Sequence, residues 1–183
     1  MKVFIFDTET TGLIENHVMD LKKQPEVIQF YGHNVNLKTG RVLGTPLETF
    51  IRPREFPRSE YTIKVTKTKI TDDQLEKAPS FKRVAGSIRA AIEASEVIIA
   101  HNLSFDREMI DIEFERLGEK ITWPKRMICT VESTVYLHGR RLTLSQLYAM
   151  FFDGAKFEAH LAKEDVEALT KISIALFKKG LIA

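Results

Sequence analysis

Asp7 and Glu9, two positions apart in Phe6-Asp7-Thr8-Glu9-Thr10-Thr11-Gly12, are the first side chains in this sequence that suggest chemistry. In a strand, successive side chains alternate between faces, so the two carboxylates project together while Thr8 points away. Such a pair is one side of a cation site if further acids join it. Taken alone, the segment reads equally well as a polar turn closing a core strand, with Thr and Asp side chains bonded to nearby backbone.

Two later acids bear on that choice. Asp106 falls in the first turn of an expected helix, where it complements the helix dipole with no metal needed. Asp165 shares the inward stripe of the last expected helix with Ala162 and Leu169, where an unpaired carboxylate is costly unless something neutralises it. Four carboxylates gathered at one place repel one another unless hard cations sit among them. Coordination by oxygen alone suits magnesium or manganese and fits zinc poorly. Two such ions about 4 Å apart are the arrangement that drives in-line displacement at a phosphodiester. His160 stands near the start of the helix bearing Asp165 and is a candidate to take the proton from an attacking water. Without the acid nearby it reads as an exposed surface histidine. His101 is the competing base, and because it directly follows a buried strand it reads as structural support.

The elements that must position these groups follow from hydrophobic spacing. Val3 to Phe6 is an unbroken apolar run, as expected of a central strand covered on both faces. A polar loop over 14–25 lies beside the expected site. Val27 to Leu37 and Arg41 to Ile51 read as an antiparallel pair turning at Lys38-Thr39-Gly40, and Pro53 and Pro57 end the pairing. Thr71 caps a short helical turn in which Gln74 completes a capping box. Ser80 opens a helix with Phe81, Val84, Ala85, Ile88, Ala91 and Ile92 at helical spacing. Glu96 to Ala100 is a strand, and a helix follows it to Leu117 with Ser104 as its expected cap. Met127 to Thr130 is a last strand, before helices over 143–152 and 160–179. The alternation predicts an α/β fold, a mixed sheet with helices on both faces.

Composition narrows the class. The 183 residues are enough for one domain, 1–183, with 44% hydrophobic and 28% charged residues, ordinary values for a globular chain. No apolar run is long enough to span a bilayer and no secretory signal is visible, so a cytoplasmic protein without a membrane partner is expected. The lone Cys129 forbids an internal disulfide and reads as a small core residue. The net charge of +2 means that any polyanion is recognised locally, through metal ions and a few basic loops. The basic groups Arg52/Arg54/Arg58, Lys64/Lys67/Lys69, Lys125/Arg126 and Arg140/Arg141 each read as solvated surface.

Three segments together resemble a known family. Phe6-Asp7-Thr8-Glu9-Thr10-Thr11-Gly12, His101-Asn102-Leu103-Ser104-Phe105-Asp106 and His160-Leu161-Ala162-Lys163-Glu164-Asp165 look like the three motifs of the DEDDh 3′-to-5′ exonucleases. The chain is thereby similar to the proofreading exonuclease subunit of bacterial DNA polymerase III and to ribonuclease T. The resemblance implies an RNase H-like fold whose mixed five-stranded sheet has one antiparallel strand. It implies two Mg2+ ions, with Mn2+ as an alternative, held by Asp7, Glu9, Asp106 and Asp165, with His160 as general base. It also implies that the backbone of Thr10, Thr11, Gly12 and Leu13 holds the terminal nucleotide and that Asn102 and Phe105 shape its pocket. Phe105 reads equally as a base-stacking platform and as a core anchor.

Implied partners are single-stranded or frayed 3′ ends of DNA in proofreading or repair, with a polymerase or replication protein beside them. RNA 3′-end trimming is the alternative, separable by sensing of the 2′-hydroxyl. A catalytically silent docking module would require the loss of a ligand, and all five positions are present. An aspartic protease needs Gly where Glu9 stands. Two departures from the family pattern bear on substrate detail: Thr68-Lys69-Ile70-Thr71 replaces the His-Gly-Ile-Thr of many relatives, and Gln29 occupies a strand position that is often acidic.

Overall fold

The computed structural model describes residues 1–183 apart from Asn16 and Lys67, and of Val65 the backbone alone. Five strands, β1 (Lys2–Thr10), β2 (Val27–Asn36), β3 (Arg41–Phe50), β4 (Val97–Ala100) and β5 (Arg126–Cys129), form one sheet in the order β3-β2-β1-β4-β5. The apolar first strand is central, as its composition predicts. Only β2 runs against the others: it pairs antiparallel with β1 and β3, whereas β1–β4 and β4–β5 are parallel.

Seven helices are described: α1 (Glu60–Thr66), α2 (Asp72–Glu76), α3 (Phe81–Glu93), α4 (Leu103–Arg116), α5 (Thr130–His138), α6 (Leu144–Phe151) and α7 (Ala162–Lys178). They divide between the two faces of the sheet according to the alternation along β1. Val3 and Ile5 pack with Leu147, Val166, Leu169 and Ile172 of α6 and α7, while Phe4 and Phe6 pack with Ile88, Ile92, Met109 and Phe114 of α3 and α4. The rings of Phe4, Phe6 and Phe30 stack within that second layer. Gly32 is opposite Phe6, where a Cβ would collide with the Phe4 ring. A third, small cluster of Ile28, Ile70 and Leu75 anchors α2. None of the described helices is long and apolar enough to cross a membrane.

β1 continues to Thr10 with Asp7 and Glu9 inside it, opposite Tyr31 and Gln29 of β2, so the strand reading of the pair holds and the polar-turn alternative does not. Several expectations need correcting. α4 is preceded by Asn102 in a left-handed conformation (φ 65°), and Ser104 lies inside the helix, not at its cap. α1 and α5 were not expected. Among its described side chains α1 carries no buried apolar residue, and its Tyr61 is 76% exposed. α5 is rich in β-branched residues at Thr130, Val131, Thr134 and Val135, a composition that favours strand. The expected capping box at Thr71 is present, and a second one starts α6 at Thr143.

Candidate active site

The two carboxylates of β1 project to the α7 side of the sheet. Asp165, in the first turn of α7, meets them there: one carboxylate oxygen from each of Asp7, Glu9 and Asp165 lies within 4.8 Å of the others. The opposite edge of β1 is tied to Asp106, in the first turn of α4. The Thr8 backbone N–H and hydroxyl both donate to Asp106 Oδ1, at 3.0 and 2.7 Å. The side chain that points away from Asp7 and Glu9 is thus the one that steadies the next acid.

Electrostatics show how tightly the acids are gathered. Burial, then the charges of Asp106, Asp165 and Glu9, hold Asp7 well above the usual carboxylate range. Burial and the charges of Asp165 and Asp106 push Glu9 up to about 8, against the pull of the Thr68 hydroxyl. Asp106 is raised to about 7 by burial despite its two bonds from Thr8. Asp165 is raised to about 6 by burial, opposed by the His160 backbone N–H. Acids that resist ionisation together in one place lack positive charge, and their donor set is oxygen only. The residues therefore fit hard divalent cations.

His160 lies just before α7, with its side chain exposed and its backbone left-handed at φ 75°, a conformation that costs a residue with a side chain about 1–2 kcal/mol. Three bonds hold it: its N–H donates to Asp165 Oδ2 at 3.0 Å, and its carbonyl accepts from Lys69 N at 3.2 Å and Thr68 Oγ1 at 3.4 Å. His101 is engaged at both ring nitrogens, Nδ1 with Thr130 Oγ1 at 2.9 Å and Nε2 with Leu142 O at 3.2 Å. Burial pulls it down to about 4. It is a neutral strut between β4 and α5, in line with the structural reading of the sequence.

A cavity of about 220 Å3 opens beside Glu9, lined by Thr8, Thr10, Gly12, Leu13, Thr66 and Phe105. Of the six expected substrate residues, Thr10, Gly12, Leu13 and Phe105 meet there. Thr11 lies behind the wall, its N–H donating to Glu26 O and its Oγ1 accepting from Glu26 N, each at 2.9 Å. Asn102 does not line the cavity, and its Oδ1 accepts from Arg141 Nη2 at 2.9 Å. Phe105 also packs against the α3–α4 core layer, as its core-anchor reading expects. Thr66 escaped notice because nothing in the sequence marked α1. A larger cavity of about 540 Å3 on the far side of Leu13 includes Lys22, Lys23 and Arg58. In the basic segment Lys69 pairs with Glu158 at 3.7 Å, and Lys67 lies outside the described residues.

The model of the exonuclease family, of the RNase T type, matches residues 4–173. The chain belongs to the exonuclease family. Among its relatives, the PolC-type DNA polymerase III of Caldanaerobacter subterraneus subsp. tengcongensis is 29% identical over 177 residues, covering 96% of this chain and 11% of that protein. The epsilon subunit of DNA polymerase III of Buchnera aphidicola subsp. Schizaphis graminum is 35% identical over 120 residues, 66% of this chain and 48% of the subunit. The chain thus spans half or less of these relatives' length. Among solved exonuclease structures, the nuclease domain of 3′hExo, a DEDDh family member bound to rAMP, superposes with a TM-score of 0.76 at 17% identity, covering 98% of this chain and 93% of that one. Exonuclease X in complex with 5′ overhanging duplex DNA gives 0.69 at 20% identity, covering 99% and 94%. The fold is that of the RNase H-like DEDDh exonucleases.

Proposed function

We propose that residues 1–183 form one exonuclease domain that removes nucleoside 5′-monophosphates from nucleic-acid 3′ ends by metal-dependent hydrolysis, with DNA as substrate in proofreading or repair. The observation that carries this reading is geometric: carboxylate oxygens of Asp7, Glu9 and Asp165 lie within 4.8 Å of one another, and Asp106 is tied to the same strand through Thr8. In this reading Asp7, Glu9, Asp106 and Asp165 hold two Mg2+ ions, which supply Lewis acidity and charge neutralisation at the scissile phosphate. Mn2+ has the same ligand preferences.

The chain's own groups do the rest. His160 accepts a proton from the water whose oxygen attacks phosphorus. The bond from phosphorus to the 3′-oxygen of the preceding nucleotide breaks, and that oxygen keeps the electron pair and takes up a proton. The released nucleotide carries the 5′-phosphate. Thr10, Gly12 and Leu13 form the floor on which the last nucleotide rests, Thr11 anchors that floor from behind, and Phe105 offers its ring to the base. The curated relatives are polymerase III proteins, and their likeness supports a polymerase or replication protein as partner.

The test uses 5′-labelled single-stranded DNA and RNA of equal sequence, incubated with Mg2+ or with chelator, beside an Asp7→Ala control. Mg2+-dependent shortening of the DNA from its 3′ end, lost in the control, is the expected result. Shortening of RNA alone would move the reading to 3′-end trimming, and no metal-dependent shortening of either strand would overturn it.

A further inference from the structure

Arg116 closes α4, the helix whose first turn carries Phe105 and Asp106. Its guanidinium turns inward beneath the loop between β1 and β2. Nε donates to Leu21 O at 3.0 Å, and Nη2 donates to Leu21 O at 2.8 Å, Gln24 O at 2.6 Å and Pro25 O at 3.0 Å. Nη1 lies 3.0 Å from Glu113 Oε1, and the two side chains are only 8% and 6% exposed. The same glutamate oxygen accepts the N–H of Val27, where β2 begins, at 3.0 Å. A rigid fork of five donors can gather several carbonyls at once, which an ammonium cannot.

The grip extends to the nucleotide floor. Gln24 stitches the loop to itself, accepting from Glu15 N at 3.0 Å and donating to Glu15 O at 2.8 Å and Val18 O at 2.7 Å. Glu26 is joined to Thr11 by two reciprocal bonds of 2.9 Å. Arg116 therefore reaches Thr11 through the gripped carbonyls of Gln24 and Pro25, the peptide bond to Glu26, and the two bonds from Glu26 to Thr11. Apolar packing of the loop is limited beside it: Ile14 packs on the core layer, and Pro25 lies near Gly12. The space behind the loop is a cavity of about 540 Å3 bordered by Met19, Leu21, Phe81 and Leu117, and Met19 is 92% exposed.

We propose that Arg116 is a positioning residue for the terminal-nucleotide pocket, setting the floor at Gly12 and Leu13, through their neighbour Thr11, against the wall formed by Phe105. The proposal rests on the exonuclease reading given above. One helix then fixes both sides of the pocket, one side through its first turn and the other through the guanidinium in its last. Without that grip the floor drifts, while the acids on β1, α4 and α7 stay in place. Nucleotide binding weakens, and the chemical step is largely spared.

The test compares Arg116→Met, Arg116→Lys and Gln24→Ala with the unaltered chain on 5′-labelled single-stranded DNA with Mg2+, alongside hydrogen exchange at the Thr11 amide. For Arg116→Met and Gln24→Ala the expected result is a KM raised roughly tenfold, with kcat lowered by less than about threefold. Arg116→Lys falls between these variants and the unaltered chain, and the Thr11 amide exchanges faster in all three. Gln24→Ala leaves the Arg116–Glu113 pair intact and carries the test if Arg116→Met does not fold. A folded variant with a lower melting temperature but unaltered KM and Thr11 exchange overturns the proposal. If the unaltered chain does not shorten DNA, the exonuclease reading fails by itself, and Thr11 exchange still decides whether Arg116 positions the floor.

Discussion

Thr8 holds Asp106 from 98 positions away in sequence, giving one carboxylate oxygen both its backbone N–H and its hydroxyl. Thr8→Val removes the hydroxyl bond and keeps the side chain's shape. Outer partners of metal-holding groups contribute roughly 10–100-fold in affinity or activity. The Mg2+ concentration for half-maximal activity is expected to rise by about tenfold in this variant, read from a metal titration of the initial rate, and an unchanged titration would remove Thr8 from the site.

Stability without metal is expected to fall as pH rises. Glu9, Asp106 and Asp165 have folded values of about 8, 7 and 6, whereas an unfolded chain titrates its carboxyls near about 4. Across that window the folded chain holds more protons than the unfolded one, so its stability is full below about 4 and is lost as pH rises through the folded values. In chelator the Glu9→Gln variant should melt higher than the unaltered chain at pH 8, with little difference at pH 4, while its activity is lost. His101 acts in the opposite sense: held at about 4, below the ordinary histidine value of about 6.5, it contributes stability above 6.5 that is lost as pH falls toward 4. Scanning calorimetry in chelator at several pH values separates the two trends.

Gln29 lies opposite Glu9 in the sheet and its Oε1 accepts the N–H of Ala162, the first residue of α7, at 3.0 Å. Gln29→Leu leaves that buried donor unpaired, at a cost of about 1–3 kcal/mol. For a chain of this size each kcal/mol lowers the melting temperature by about 2–4 °C. Gln29→Glu should keep the cap but add a charge beside Glu9, so its loss of stability in chelator should grow with pH and shrink when Mg2+ is added.

For His160→Ala the expected loss is roughly 10²–10⁴ in kcat, the contribution of a general base in the proposed role. Because the imidazole is exposed, the variant's melting temperature should stay close to that of the unaltered chain. A fall in both together would make His160 a structural residue.

The fold was readable where burial and periodicity coincide. The unbroken Val3 to Phe6 run predicts the central strand, and the inward position of Asp165 predicts its meeting with Asp7 and Glu9. What the sequence concealed lies in long-range polar contacts. Thr8 is two carbons and a hydroxyl with no local signal of its bond to Asp106, and the three carbonyls gathered by Arg116 belong to a loop without periodicity. α1 and α5 were hidden for different reasons, one being short and the other spelled in residues that favour strand. The left-handed backbone at Asn102 and His160 follows from contacts with distant segments, so neighbouring residues do not announce it.

The most direct test of the account is a calorimetric titration of the metal-free chain with Mn2+ at pH 8 in the presence of thymidine 5′-monophosphate, beside Asp7→Asn. The account predicts two equivalents bound per chain, with protons released from the raised carboxyls, and at least one equivalent lost in Asp7→Asn. Binding of less than one equivalent, or a titration unaltered by Asp7→Asn, would contradict it.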